Sequence, residues 1–277
     1  MEKKVLYVSD LDGTLLDEEA KITQFTRETI NELIKKGLSF SVATARGLDP
    51  TMKMLKGVEI SVPIILFNGV LIYDTRNKEF VKVNKIDEDE VKTVIKIVEN
   101  YNVCAFMNTI EQDGNISTCH FFSKGEDVSE YVKKRTQKYN STECKESLSE
   151  QPLNNIIYFT LIDSYEKLLP ISEELKKEEG IKIEFYKNVY QEGTWFLEIF
   201  NETASKKNAI AYIKKTYGFD SVIGFGDNYN DIPLFEMCDI KVAVKNAVED
   251  LKNMATYICE SNTNDGVARW LKENFNK

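Results

Sequence analysis

KVLYVSDLDGTLL, residues 4–16, joins a short apolar run to a polar turn. Lys4–Ser9 is rich in apolar and β-branched residues and reads as a buried strand, with Asp10-Leu11-Asp12-Gly13-Thr14 standing just past its end. The same grammar continues outward. Phe25–Lys36 carries Ile30, Leu33 and Ile34 at helical spacing, with Gly37 placed to stop the helix. Leu38–Ala43 reads as a second strand ending at Thr44, Pro50–Leu55 as a short helix, and Pro63–Phe67 as a third strand ending at Asn68-Gly69. Leu71–Tyr73 and Phe80–Val83 form a hairpin pattern around Thr75–Lys78. Repeated β-α-β units with short buried strands predict a parallel sheet flanked by helices.

The rhythm changes at Asn84. A helix over Asp87–Tyr101, with acidic residues in its first turn, leads into strands over Val103–Asn108 and Ile116–Phe122, joined by a turn at Gln112–Asn115. A helix over Asp127–Tyr139, a strand over Asn155–Ile162 and a helix over Ser164–Glu178 follow. Ile181–Tyr186 and Thr194–Phe200 complete the block as a hairpin across Asn188–Gly193. From Asn201 the β-α-β order returns, with a helix over Ala204–Thr216 closed by Gly218 and a strand over Ser221–Gly226 ending at Asp227. The expected fold class is α/β: a doubly wound, Rossmann-like parallel-sheet core, residues 1–83 and 201–277, with an inserted α+β cap domain, residues 84–200.

Among 277 residues, 42% are hydrophobic and 29% charged, an ordinary globular balance. The formal net charge of −9, without a basic run, argues against nucleic acid or an anionic membrane as partner. A phosphate site would have to be locally basic against that field. The apolar run Val5–Val8 is too short for a signal-peptide core, and no stretch approaches the roughly 18 apolar residues of a membrane span, so a cytoplasmic location is expected. Oligomeric state is not legible. Cys104, Cys119, Cys144, Cys238 and Cys259 form no CxxC pair and are widely spaced, which predicts reduced, mostly buried thiols rather than a disulfide framework or zinc site. None has Arg six residues on. His120 is the single histidine, which excludes chemistry needing two.

Strand ends define the candidate site. In an open parallel sheet the carboxyl ends of the strands line one crevice, where ligands bind. That rule sends Asp10, Asp12, Thr44, Asn68 and Asp227 to one edge, with Asp231 nearby at the start of the next helix. Carboxylates that converge in a partly dry site repel each other, so a cation is expected among them. All-oxygen donors without Cys or His favour Mg²⁺. Asp10 can attack phosphorus, while Asp12 can give a proton to the leaving oxygen and take one from the hydrolytic water. Lys206, opening the helix after the insertion, and the Thr44 hydroxyl can supply positive charge and a hydrogen bond to the phosphoryl group.

Asp10-Leu-Asp-Gly-Thr-Leu-Leu, Ala43-Thr-Ala-Arg46, Ser205-Lys206 and Gly226-Asp227-Asn-Tyr-Asn230-Asp231 resemble, in order, the four motifs of the haloacid dehalogenase superfamily. Phe67-Asn-Gly69, Val242-Ala-Val-Lys-Asn246-Ala and Asn264-Asp-Gly-Val-Ala268 resemble its Cof-type sugar phosphatases. The resemblance implies a Mg²⁺-dependent phosphatase of small, sugar-like phosphate monoesters working through an aspartyl phosphate. Asp10 would be nucleophile and metal ligand. Asp12 would be acid/base and bind the metal through its main-chain carbonyl. Asp227 and Asp231 would complete the metal site. Thr44, Lys206 and Asn230 would contact the phosphoryl group, with Arg46 and Asn68 near the substrate. Lys207 departs from the family, which often has Gly there, and is expected to face solvent. A phosphotransferase or mutase on the same site is the nearest alternative. A phospho-accepting signalling receiver, from another class, needs neither the second acid Asp12 nor a long insertion.

Overall fold

The computed structural model describes residues 3–101, 103–121, 136, 142–143, 148, 152–188 and 191–275. β1 (Val5–Ser9) runs into a wide turn over Leu11–Leu15, closed by the Leu16 amide donating to the Leu11 carbonyl at 2.9 Å. α1 (Gln24–Lys35), β2 (Ser39–Val42), α2 (Leu48–Met54), β3 (Ile64–Leu66), β4 (Leu71–Asp74) and β5 (Glu79–Val83) follow. Then come α3 (Glu88–Tyr101), β6 (Ala105–Ile110), β7 (Ile116–Phe121), β8 (Thr142–Glu143), β9 (Ile156–Asp163), α4 (Tyr165–Leu175), β10 (Ile181–Lys187) and β11 (Trp195–Asn201). The chain closes with α5 (Lys206–Tyr217), β12 (Ser221–Gly226), α6 (Ile232–Met237), β13 (Ile240–Val244), α7 (Glu249–Met254), β14 (Tyr257–Cys259) and α8 (Gly266–Asn274). Two compact units result: Met1–Lys82 with Ser205–Lys277, and Val83–Ala204.

The first unit is built on a parallel sheet of order β14-β13-β12-β1-β2. β1 lies inside it, with Ser9 level with Phe225 of β12 and Val42 of β2. The register therefore stops three strands at one line, with Asp10, Thr44 and Asp227 just beyond it. Leu6, Val8, Phe40, Val42, Val222 and Phe225 are buried, as strands covered on both faces require. Local chemistry sets the helix limits. The Thr23 and Ser205 hydroxyls accept the amides of Thr26 and Asn208 at the starts of α1 and α5, and left-handed Gly218 ends α5.

The third strand corrects the sequence reading, which placed Pro63–Phe67 in the parallel sheet. β3 instead pairs antiparallel with β4 in a separate sheet of order β3-β4-β5. It touches the end of β2 through one parallel bridge, Ala43 to Ile65. The reason is local. Pro63 has no amide hydrogen to donate, and Phe67, Asn68 and Gly69 all have positive φ, which turns the chain straight back into β4. Asn68 still reaches the common edge, because its amide donates to the Thr44 carbonyl at 2.9 Å.

Among the described residues the second unit has a sheet of order β10-β11-β9-β6-β7-β8, antiparallel except for β7–β8. One face is covered by the apolar stripes of α3 and α4, where Val91, Val94, Val98, Leu168 and Ile171 pack with Phe159, Leu161, Leu197 and Ile199. Alternate residues point to the opposite face. There the Tyr158 hydroxyl donates to Glu198 Oε2 at 2.6 Å, and its ring stacks on Phe200. The expected helix Asp127–Tyr139 lies outside the described residues except at Thr136. Cys104, Cys238 and Cys259 are free thiols, but Cys119 on β7 is in a disulfide, against the expectation of reduced cysteines throughout.

Candidate active site

Asp10 follows β1 directly, its amide extending the ladder to the Phe225 carbonyl at 3.0 Å. Lys206, the first residue of α5, places its ammonium between two carboxylates, 2.7 Å from Asp10 Oδ1 and 2.6 Å from Asp231 Oδ1. The second Asp231 oxygen accepts the Asp227 and Asn228 amides at 3.0 and 3.2 Å. Asp10, Asp227 and Asp231 each bring an oxygen within 4.8 Å of the others. Lys206, Asp10 and Asp231 are all at least 95% buried.

The electrostatics of this cluster are frustrated. Burial, then the Asp231 charge, hold the Asp10 carboxyl well above the usual carboxylate range, with Lys206 opposing. The same two causes push Asp227 up to about 7, against the Thr14 hydrogen bond. For Lys206 burial alone would favour the neutral amine, but the Asp10 and Asp231 carboxylates more than reverse this, and the ammonium is held above its ordinary range. One fixed positive charge serves three crowded acids, so the donor set suits an added divalent cation. It is all oxygen, acidic and short of positive charge.

Neighbouring loops brace the turn that follows Asp10. Thr14 donates from its hydroxyl to Asp227 Oδ1 at 2.8 Å. Asn246, just past β13, donates from Nδ2 to the Gly13 carbonyl at 2.7 Å, and its Oδ1 accepts the Asn262 amide at 3.0 Å. Asn262 Nδ2 donates in turn to the Leu16 carbonyl at 2.8 Å. Gly13 has φ +79°, and a Cβ there would lie 2.4 Å from Asp227 Oδ2. Gly13→Ala therefore adds both a left-handed strain and a clash. We expect a loss of about 1–3 kcal/mol, read as a lower urea midpoint, and an unchanged midpoint would show that the turn tolerates a side chain.

The remaining sequence candidates fall around this cluster. Asp12 is not one of the three convergent carboxylates. Its side-chain oxygens accept from Arg46 Nε and Nη2 at 2.6 Å each. Thr44 is buried, and its Oγ1 accepts the Arg46 amide at 3.1 Å. Asn68 is buried on the turn after β3. That turn abuts the start of α5, since a Cβ on Gly69 would lie 2.2 Å from the Ser205 carbonyl oxygen. Asn230 is half-buried on the turn Tyr229–Asp231. Lys207 pairs with Glu236 at 2.9 Å, both about half-exposed. The strand-end rule did not single out Asn246 or Asn262 as braces. Asn246 carries the same signal as Thr44, a polar residue just past an apolar run.

Residues 7–271 match the haloacid dehalogenase-like hydrolase family. The 5-amino-6-(5-phospho-D-ribitylamino)uracil phosphatase YitU of Bacillus subtilis is 26% identical, over 99% of this chain and 98% of its own. Among solved structures, TM0651 from Thermotoga maritima aligns at TM-score 0.78 with 24% identity, over 100% of this chain and 98% of its own. The subclass IIB sugar phosphatase BT4131 aligns at 0.76 with 24% identity, over 98% of both. At these identities the solved structures speak to the fold, an α/β core with an inserted domain. The family match spans nearly the whole sequence and includes every strand end that carries an acidic residue, so the chain belongs to the haloacid dehalogenase-like hydrolases and is a phosphatase.

Proposed function

We propose that this phosphatase is Mg²⁺-dependent and hydrolyses small, sugar-like phosphate monoesters through an aspartyl phosphate on Asp10. The observation that carries the reading is the buried meeting of Asp10, Lys206, Asp231 and Asp227 at the carboxyl edge of the sheet. The cation would be held by Asp10, the main-chain oxygen of Asp12, Asp227 and Asp231. When bound it would neutralise the crowded carboxylates and draw negative charge from the phosphoryl oxygens.

The residues divide two half-reactions. An Asp10 oxygen forms a bond to phosphorus while the bond to the ester oxygen breaks. The electron pair leaves with that oxygen, which takes a proton from Asp12. Water then attacks phosphorus, giving its proton back to Asp12, and the bond to Asp10 breaks to release inorganic phosphate. Lys206 fixes the Asp10 carboxylate and, with Thr44 and Asn230, offers donors to the equatorial oxygens. The insertion is read as a cap supplying substrate contacts, with the tips at Gln112–Asn115 and Asn188–Gly193 as candidates. The names of the relatives, a ribitylaminouracil phosphate phosphatase and a sugar phosphatase, support a polyol-like or sugar-like substrate. A cytoplasmic location belongs to the same reading.

Phosphate release from a panel of phosphorylated metabolites tests the proposal. EDTA is expected to silence turnover and added Mg²⁺ to restore it. Full activity in metal-free protein would contradict the metal role, and transfer to an acceptor without phosphate release would make the enzyme a phosphotransferase or mutase.

A further inference from the structure

Resting on the reading of Asp12 as the proton-transfer residue, we propose that Arg46 is a positioning residue whose guanidinium aims the Asp12 carboxylate at the leaving-group oxygen. The family resemblance placed Arg46 beside the substrate. In the structure Arg46 forks onto Asp12, with Nε donating to Oδ2 and Nη2 to Oδ1 at 2.6 Å each. Two parallel charge-assisted bonds fix the plane of a carboxylate as well as its distance, which a lysine cannot do.

The base of that fork is itself anchored. The Arg46 amide donates to Thr44 Oγ1 at 3.1 Å, and its carbonyl accepts the Phe67 amide at 3.1 Å. The adjoining Gly47 is seated on the Phe67 ring, since a Cβ there would lie 2.7 Å from it. Asp12 by contrast sits on the wide turn after β1, with non-helical ψ of 118° and a side chain 32% exposed. A carboxylate about one-third exposed on such a turn would spread over several rotamers. The fork selects one, and each carboxylate oxygen keeps acceptor capacity for a further partner. Arg46 thus touches the chemistry through Asp12.

A leaving group that departs readily without a proton, p-nitrophenolate, needs Asp12 little, whereas the alkoxide of glycerol 2-phosphate needs it greatly. With Mg²⁺ present, Arg46→Met is expected to lower kcat for glycerol 2-phosphate at least about tenfold more than for p-nitrophenyl phosphate, as loss of a positioned acid should, with KM changing little. Arg46→Lys keeps the charge without the fork and is expected to show the same selectivity; it carries the test if Arg46→Met does not fold. Equal losses on both probes, a raised KM with kcat intact, or full activity in Arg46→Lys would overturn the proposal. Asp12→Asn separates the two levels. If it shows no leaving-group selectivity, the reading of Asp12 fails. If it does and the Arg46 variants do not, the positioning role alone fails.

Discussion

Asp10→Asn is expected to remove turnover of every phosphate monoester the enzyme accepts, a loss on the order of 10⁴-fold or more in kcat. The carboxamide is nearly isosteric, so the loss reports chemistry rather than collapse. It takes away the anionic oxygen that would bond to phosphorus, and its buried neighbour Asp231 is held away from that role, because both Asp231 oxygens are engaged by Lys206 and by the backbone of Asp227 and Asn228. Stability should move the other way or not at all. Burial and the Asp231 charge raise the Asp10 pKa. An acid whose folded pKa is raised destabilises the fold as pH rises through its ordinary range toward that raised value, and the neutral amide is spared this. The expected signature is an inactive metal-free protein that melts no lower than the wild type. More than a trace of phosphate release would place the nucleophile elsewhere.

Lys206→Met should have the next largest effect, on stability and activity together. The side chain is 1% exposed and bonds two buried carboxylates. Breaking a buried ion pair from one side costs about 3–5 kcal/mol, whereas a solvated lysine is worth about 0–1 kcal/mol. Urea unfolding of the metal-free variant decides between these. Mg²⁺ is expected to recover part of the lost stability, because it brings positive charge to the same acids. It should not recover the rate, which we expect to fall about 10²–10³-fold with the loss of a preorganised donor. The neighbouring Lys207, half-exposed in its pair with Glu236, is the control. Lys207→Met should leave both quantities nearly unchanged, and equal behaviour of the two variants would refute the buried role of Lys206.

Strand ends were the most legible part of this sequence. An apolar run stopped by Asp10, Thr44 or Asp227 carries its own address, because a parallel sheet aligns the ends of its strands. Asn68 reached the edge for a different reason, a left-handed turn hydrogen-bonded to Thr44, although its strand left the main sheet. The end of α5 was legible because a left-handed glycine cap is local chemistry, as at Gly218, whereas the hydroxyl caps at Thr23 and Ser205 set helix starts one and two residues from those read. Partnerships set by loop shape were not. Nothing in the spacing of Asp12 and Arg46 says that their side chains meet, and nothing in Asn246 or Asn262 says which carbonyl each will hold. The short β8 belongs to the same class, since its pairing with β7 depends on how separate segments lie together.

Lys206 and Asp10 are 196 residues apart, and β1 needs β12 on one side as much as β2 on the other. A ribosome adding roughly 5–20 residues per second would expose Asp10 about 10–40 s before Lys206. Throughout that interval the nascent chain holds an acid with no counter-charge and a strand with a bare edge. The cluster is thus incomplete until Lys206 and β12 emerge, and a truncated product ending before residue 205 would carry Asp10 without Lys206, Asp227 and Asp231.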